Sequence, residues 1–109
     1  MQIEFSTQGG WTVVSLAGPV DHAGAEQLSK ALLPLMTGGA VALDFTGVDY
    51  VTSAGFRTLM QAEREQRAKK GKLVLGNLSD DVRRFFDIAG LSAVFKIASD
   101  LGAVTSEAP

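Results

Sequence analysis

The sequence predicts an α/β domain. A mixed β-sheet has parallel central strands and opens with an antiparallel hairpin, and the helices pack chiefly on one face. Three observations predict it. Ile3–Thr7 alternates apolar and polar residues, Trp11–Ala17 is rich in β-branched ones, and Gln8-Gly9-Gly10 between them is turn chemistry. Ala40–Phe45 and Leu73–Leu75 are short runs that stay apolar on both alternating faces, broken only by Asp44, as strands covered on both sides require. Stretches with apolar residues at helical spacing separate these runs, so strands and helices alternate along the chain.

Taken in order, Ile3–Thr7 reads as an edge strand and Trp11–Ala17 as its antiparallel partner. Trp11, the single tryptophan, is expected to pack over the hairpin and not to mark a binding face. Gly18-Pro19 breaks the strand, and Asp21 or His22 caps a first helix with Ala25, Leu28, Leu32, Leu35 and Met36 on its apolar side. Pro34 cannot donate a backbone hydrogen bond, so that helix is expected to kink or end there, before Thr37-Gly38-Gly39.

Ala40–Phe45 is the next strand, followed by turn residues Thr46–Asp49 and a further extended step at Tyr50-Val51. A second helix starts at Thr52-Ser53, with Ser53 at the N-cap or beside it, and carries Phe56, Leu59 and Met60 on one side. The apolar stripe stops at Met60, so the far end is expected in solvent, with Glu63–Arg67 and Glu65–Lys69 as ion pairs. Lys69 and Lys70 before Gly71 complement the helix C-terminus.

Leu73–Leu75 forms another buried strand. Ser79 caps a third helix with Val82, Phe85, Phe86 and Ala89 as its stripe and Gly90 just past its end. A last short strand is expected at Val94–Ile97, a short helix after Ser99-Asp100, and a frayed tail over residues 105–109.

One domain over residues 1–109 is large enough to bury a core without disulfides. The chain has no cysteine and one histidine, which excludes disulfides, thiolate metal sites and all-imidazole metal sites. A net charge of −2 gives no electrostatic reason to expect direct nucleic-acid binding. The longest apolar stretches are too short to cross a bilayer and the N-terminus is no signal peptide, so a cytoplasmic domain is expected; a monomer is expected as well. No cofactor is expected, and no phosphate-binding Walker sequence is present.

The centre of the chain is Asp44 to Met60. Ser53 lies where unpaired backbone N–H groups converge and the helix dipole favours negative charge, a good place for a phosphate. As a nucleophile it lacks support: Val51 stands where a nucleophile elbow has glycine, and the only histidine adjoins Asp21. Asp44 is expected to hydrogen-bond local backbone and not to join Asp21 and Asp49 in a metal site. From spacing alone, Ser53 reads as an ordinary helix cap.

Asp44-Phe45-Thr46 followed by Thr52-Ser53-Ala54-Gly55-Phe56 resembles the signature of STAS domains, above all the bacterial anti-sigma factor antagonists. A second match, Gly18-Pro19-Val20-Asp21, resembles that family's Gly-x-aliphatic-Asp before the first helix, and the order of elements agrees along the chain. The resemblance implies a switch protein and not an enzyme. Ser53 is then the residue phosphorylated by an anti-sigma factor with serine kinase activity and reset by a metal-dependent serine phosphatase. Asp21, Thr52, Ser53, Ala54, Gly55 and Arg57 form the partner surface, Gly55 allowing close approach of the partner or the sheet. Unphosphorylated protein binds the anti-sigma factor and releases a sigma factor; phosphorylation blocks binding. The alternatives are a STAS subunit of a transport complex, such as one for lipid trafficking, and a nucleotide-sensing STAS module.

Overall fold

The structure, a computed structural model, describes all residues from Met1 to Pro109. Five strands, β1 (Gln2–Gln8), β2 (Trp11–Ala17), β3 (Ala40–Gly47), β4 (Lys72–Gly76) and β5 (Lys96–Ala98), form one sheet in the order β1-β2-β3-β4-β5. β1 and β2 are antiparallel, with Gln2 opposite Ala17 and Gln8 opposite Trp11; every later pairing is parallel. The hairpin turns on Gly9 and Gly10 at φ +58° and +89°. Two successive positive φ angles match the strand twist in a two-residue turn, and glycine adopts them without a Cβ clash.

The helices are α1 (His22–Leu32), α2 (Ser53–Ala68), α3 (Asp80–Ile88) and α4 (Leu101–Thr105). Each parallel connection reaches the adjacent strand, and crossovers of one hand therefore deliver α1, α2 and α3 to the same face. The strand alternation divides the core accordingly. Val14, Leu16, Val41, Leu43, Phe45, Leu73 and Leu75 meet Leu28, Leu32, Leu59, Val82 and Phe86 in the main core. The alternate residues Ala42 and Val74, with Trp11, meet Leu101 of α4 on the opposite face. Central strands apolar on both sides are thus covered on both sides.

Helix ends follow local chemistry. Asp21 Oδ1 accepts the Gly24 N–H at 2.8 Å at the head of α1, and Ser79 Oγ accepts that of Val82 at 3.2 Å at the head of α3. Pro34 ends α1 by diverting the chain into a 3-10 turn, Leu33–Leu35. Gly90 follows α3 at φ +73°.

Several expectations are corrected. α2 does end in solvent, with Arg67 and Ala68 exposed, but it leaves the core a turn and a half later than expected: Ala62 is fully buried and Gln66 nearly so, at 1% exposure. Gln66 Oε1 accepts the Gly38 N–H at 3.0 Å, while its Nε2 donates to the carbonyls of Gly39 (2.9 Å) and Lys72 (3.0 Å). The left-handed residue past α2 is Lys70, at φ +60°, and not Gly71, whose missing Cβ leaves room for the Gln66 amide. Of the two ion pairs only Glu63–Arg67 forms, at 2.9 Å; Glu65 accepts from Gln61, and Lys69 Nζ donates to the Met36 carbonyl. Ala89 is exposed.

The last strand begins at Lys96, because Val94 and Phe95 lie in a turn and Phe95 packs end-on against Phe86 in the core. Residues 105–109 fold back on the hairpin. Thr105 is buried, and the Glu107 carbonyl accepts the Trp11 indole N–H at 2.9 Å. Trp11 is buried as expected, but beneath this C-terminal segment.

Candidate functional site

The site forms where two loops extend the β2–β3 ladder beyond the sheet. The Gly18 N–H donates to the Gly47 carbonyl at 2.9 Å and the Val20 N–H to that of Tyr50 at 2.8 Å. Val20 and Val51 then form an isolated parallel bridge, and the Thr52 N–H returns to the Val20 carbonyl at 2.9 Å. Both valines are buried, so this junction is an outpost of the core. Its consequence is geometric: the N-termini of α1 and α2 emerge side by side at the C-terminal end of parallel strands, where open α/β sheets place their sites.

Gly55 explains how tightly the junction closes. A Cβ there would lie 2.7 Å from Val20 Cγ1, 2.9 Å from the Val20 carbonyl oxygen and 3.0 Å from Val51 Cγ1. Gly55 is buried. Of the two approaches expected at Gly55, partner or sheet, the structure fills the second: the close neighbours are Val20 and Val51, whose bridge extends the sheet.

The remaining predicted residues divide by what they touch. Thr52, and not Ser53, is the N-cap of α2, but its Oγ1 donates to the Val20 carbonyl at 3.1 Å and caps nothing. Ser53 is the first helical residue and is exposed. Ala54 is half-buried against the core, and Arg57 is exposed one turn further along. Asp21 is half-buried, one oxygen holding the α1 cap. Ser53, Arg57 and one side of Asp21 thus share the surface.

α1, α3 and α4 each begin with a side-chain cap; α2 does not. The N–H groups of Ser53, Ala54 and Gly55 lack intrahelical acceptors by geometry, so they remain available to an anion at this helix start.

Asp44 braces the site from below. Its Oδ1 accepts from the Thr46 N–H at 3.0 Å, Thr46 Oγ1 at 2.6 Å and Asn77 Nδ2 at 3.1 Å. Asn77 Oδ1 in turn accepts the Leu101 N–H at 3.0 Å, linking the loop after β3 to α4. Partial burial alone would raise the Asp44 pKa, but the bonds from Thr46 and Asn77 outweigh it and hold the carboxyl below its ordinary value. The local hydrogen-bonding role expected for Asp44 is borne out. No three histidine, aspartate or glutamate side chains gather into a metal-binding group.

Sequence reasoning missed Tyr50 and Ile88. Both are large, apolar and exposed, and both border a groove that begins at Ser53. The available signal was Ile88, an apolar residue off the Val82–Phe86 stripe of α3.

Residues 3–98 match the family model described as Mlab, STAS domain. BtrV of Bordetella bronchiseptica, described as an anti-sigma factor antagonist, is 34% identical over 101 residues, covering 91% of this chain and 87% of that protein. The anti-sigma-B factor antagonist of Bacillus subtilis is 32% identical over 87 residues, covering 79% and 80%. Among solved structures, the anti-sigma factor antagonist SpoIIAA in its unphosphorylated form superposes with a TM-score of 0.74 at 24% identity, covering 94% of this chain and 93% of that one. The phosphorylated form of the Bacillus cell fate determinant SpoIIAA gives 0.69 at 22%, covering 94% and 96%. The five-stranded mixed sheet, the paired helix starts and a match spanning nearly every element lead to one assignment: this chain belongs to the STAS domain family.

Proposed function

We propose that the protein is an anti-sigma factor antagonist whose docking surface is the joined start of α1 and α2, and whose phosphate acceptor is Ser53. The observation that carries the reading is the exposed Ser53 hydroxyl on the one helix start left without a side-chain cap. The names of its relatives support the role. In this reading the chain is a cytoplasmic monomer, a binding partner and a kinase substrate, and not an enzyme. No helix is long and apolar enough to cross a membrane.

The partner is an anti-sigma factor with serine kinase activity, and docking of the unphosphorylated protein displaces a sigma factor from it. In the kinase step the Ser53 oxygen attacks the γ-phosphorus of ATP. An O–P bond forms at Ser53, the bond to the leaving ADP breaks, and the hydroxyl proton passes to a base of the kinase. The product carries about −1.5 to −2 charge near neutral pH. The free N–H groups and the dipole at the α2 start tolerate that charge, so the fold persists. The interface does not tolerate it, because phosphate brings bulk and a hydration shell to a surface that must lose its water on docking. A metal-dependent serine phosphatase hydrolyses the ester and resets the surface.

Incubation with the serine-kinase anti-sigma factor and ATP should add one phosphate, and peptide mapping should place it on Ser53. Calorimetric titration should then show binding by wild type and Ser53→Ala, weaker binding by Ser53→Asp, and the weakest by the phosphorylated protein. Label that persists in Ser53→Ala, or binding undiminished by phosphorylation, would overturn the reading.

A further inference from the structure

The start of α2 separates two unlike grooves. The groove toward α1 is charged, lined by His22, Glu26, Lys30 and Arg57. The groove toward α3, about 370 Å³, includes Tyr50, Ser53, Phe56, Phe85, Ile88 and Ala89 in its walls, and no Asp, Glu, Lys, Arg or His borders it. Two of the four exposed large apolar residues of the molecule meet here, Tyr50 at 49% and Ile88 at 78% exposure. Tyr50 stands edge-on to Phe85, ring centroids 6.1 Å apart at 88°, and Phe56 and Phe85 are anchored on the main core. The groove is therefore a preformed apolar surface whose wall includes the exposed residue Ser53.

We propose that this groove seats one uncharged apolar side chain of the anti-sigma factor, and that phosphate on Ser53 blocks it by keeping the groove hydrated instead of by charge repulsion. The inference rests on the antagonist reading and names the contact and the switch at that same site. The occupant follows from the lining. A charged group entering here would lose water and meet no counter-ion, which is costly, whereas an aromatic or branched aliphatic group gains by leaving water.

The mode of blocking follows from the same absence of charge. A phosphate on Ser53 finds no cation among the residues of this groove, so it keeps its water shell on that side. Seating an apolar group then requires stripping that shell without compensation. Such a block acts at contact distance. Repulsion between exposed charges is instead screened by salt, the Debye length falling from about 10 Å at 0.1 M to about 3 Å at 1 M. The two modes therefore separate by ionic strength.

The test has two arms on the full chain. In the first, indole serves as the apolar probe and amide NMR shifts are followed. The unmodified protein should show saturable shifts at Tyr50, Ser53, Ile88 and Ala89. Protein with phosphoserine encoded at position 53, and Ile88→Ser, should show at least tenfold weaker response. Shifts scattered over the surface, or unchanged in Ile88→Ser, would overturn the groove as an apolar site. In the second arm, the serine-kinase anti-sigma factor is titrated against each form. Ile88→Ser should bind about tenfold or more weakly with an unchanged melting temperature, and Ile88→Val should bind like wild type. The affinity ratio between unmodified and phosphorylated protein should stay the same at 0.1 M and 1 M NaCl; a ratio that collapses tenfold or more at 1 M shows repulsion and overturns the hydration block. The two failures are distinct. If wild type binds no such kinase, the antagonist reading falls with the proposed occupant. If wild type binds and Ile88→Ser binds equally well, the groove proposal alone falls.

Discussion

Gly55→Ala puts the junction of fold and site under direct strain. In an open helix the change would stabilise the protein by about 0.5–1 kcal/mol, because glycine loses more backbone entropy on folding. Here the new methyl would stand 2.7 Å from Val20 Cγ1 and 2.9 Å from the Val20 carbonyl oxygen. Neither neighbour yields freely: Val20 is fully buried, and its carbonyl already accepts from the Thr52 N–H and hydroxyl. Overpacking of a closed site costs about 1–3 kcal/mol, so the net loss should be about 1–2 kcal/mol. For a domain near this size each kcal/mol moves the melting temperature by roughly 4–8 °C, giving a fall of about 5–15 °C. Gly39→Ala is the control, since a Cβ there meets nothing within 4 Å, and it should be neutral or slightly stabilising. Thermal melts of both variants decide the matter. A Gly55→Ala melting temperature equal to or above wild type would refute the claim that the Val20–Val51 bridge closes against α2 at this position.

Three further outcomes follow from the core and its braces. Leu59→Ala should lose about 2–5 kcal/mol in chemical unfolding, through lost transfer energy and a residual cavity, whereas Arg57→Ala should be nearly silent; equal midpoints for Leu59→Ala and wild type would contradict the burial of that helix face. Gln66→Leu should cost about 1–3 kcal/mol for the Gly38 N–H it leaves unpaired, the Gly39 carbonyl keeping the Lys72 N–H as a partner, and the Gly38 amide should lose hydrogen-exchange protection. Asp44, whose folded pKa lies below its unfolded value, contributes stability that is fully present above the unfolded pKa and is lost as pH falls through the folded one. Asp44→Asn should therefore flatten the acid side of the stability–pH curve, and an unchanged slope between wild type and variant would exclude the Thr46–Asn77 brace as its source.

The chain carries its architecture in local signals. Alternation placed β1, β-branched residues placed β2, and short runs apolar on both faces placed β3 and β4; the Gly9-Gly10 pair placed the hairpin, and Asp21, Ser79 and Asp100 announced three helix starts through hydrogen bonds spanning two or three residues. The position of Ser53 at the head of α2 was equally legible, because a strand, a turn and an apolar helical stripe follow one another without interruption. What required the tertiary structure was every feature set by a partner distant in sequence. Gln66 looks solvated on a polar helix turn, yet it is buried because Gly38 and Gly39, nearly thirty residues earlier, offer backbone groups that need it. Gly55 could serve the approach of a partner or of the sheet until Val20 is seen against it. The tail from Thr105 looks free until the Trp11 indole reaches the Glu107 carbonyl. Tyr50 and Ile88 become a surface only when the loop after β3 and the end of α3 are brought to the same side of Ser53. Periodicity reports which face of an element is apolar; which residues meet across the fold is decided by packing and by hydrogen-bond satisfaction between distant segments.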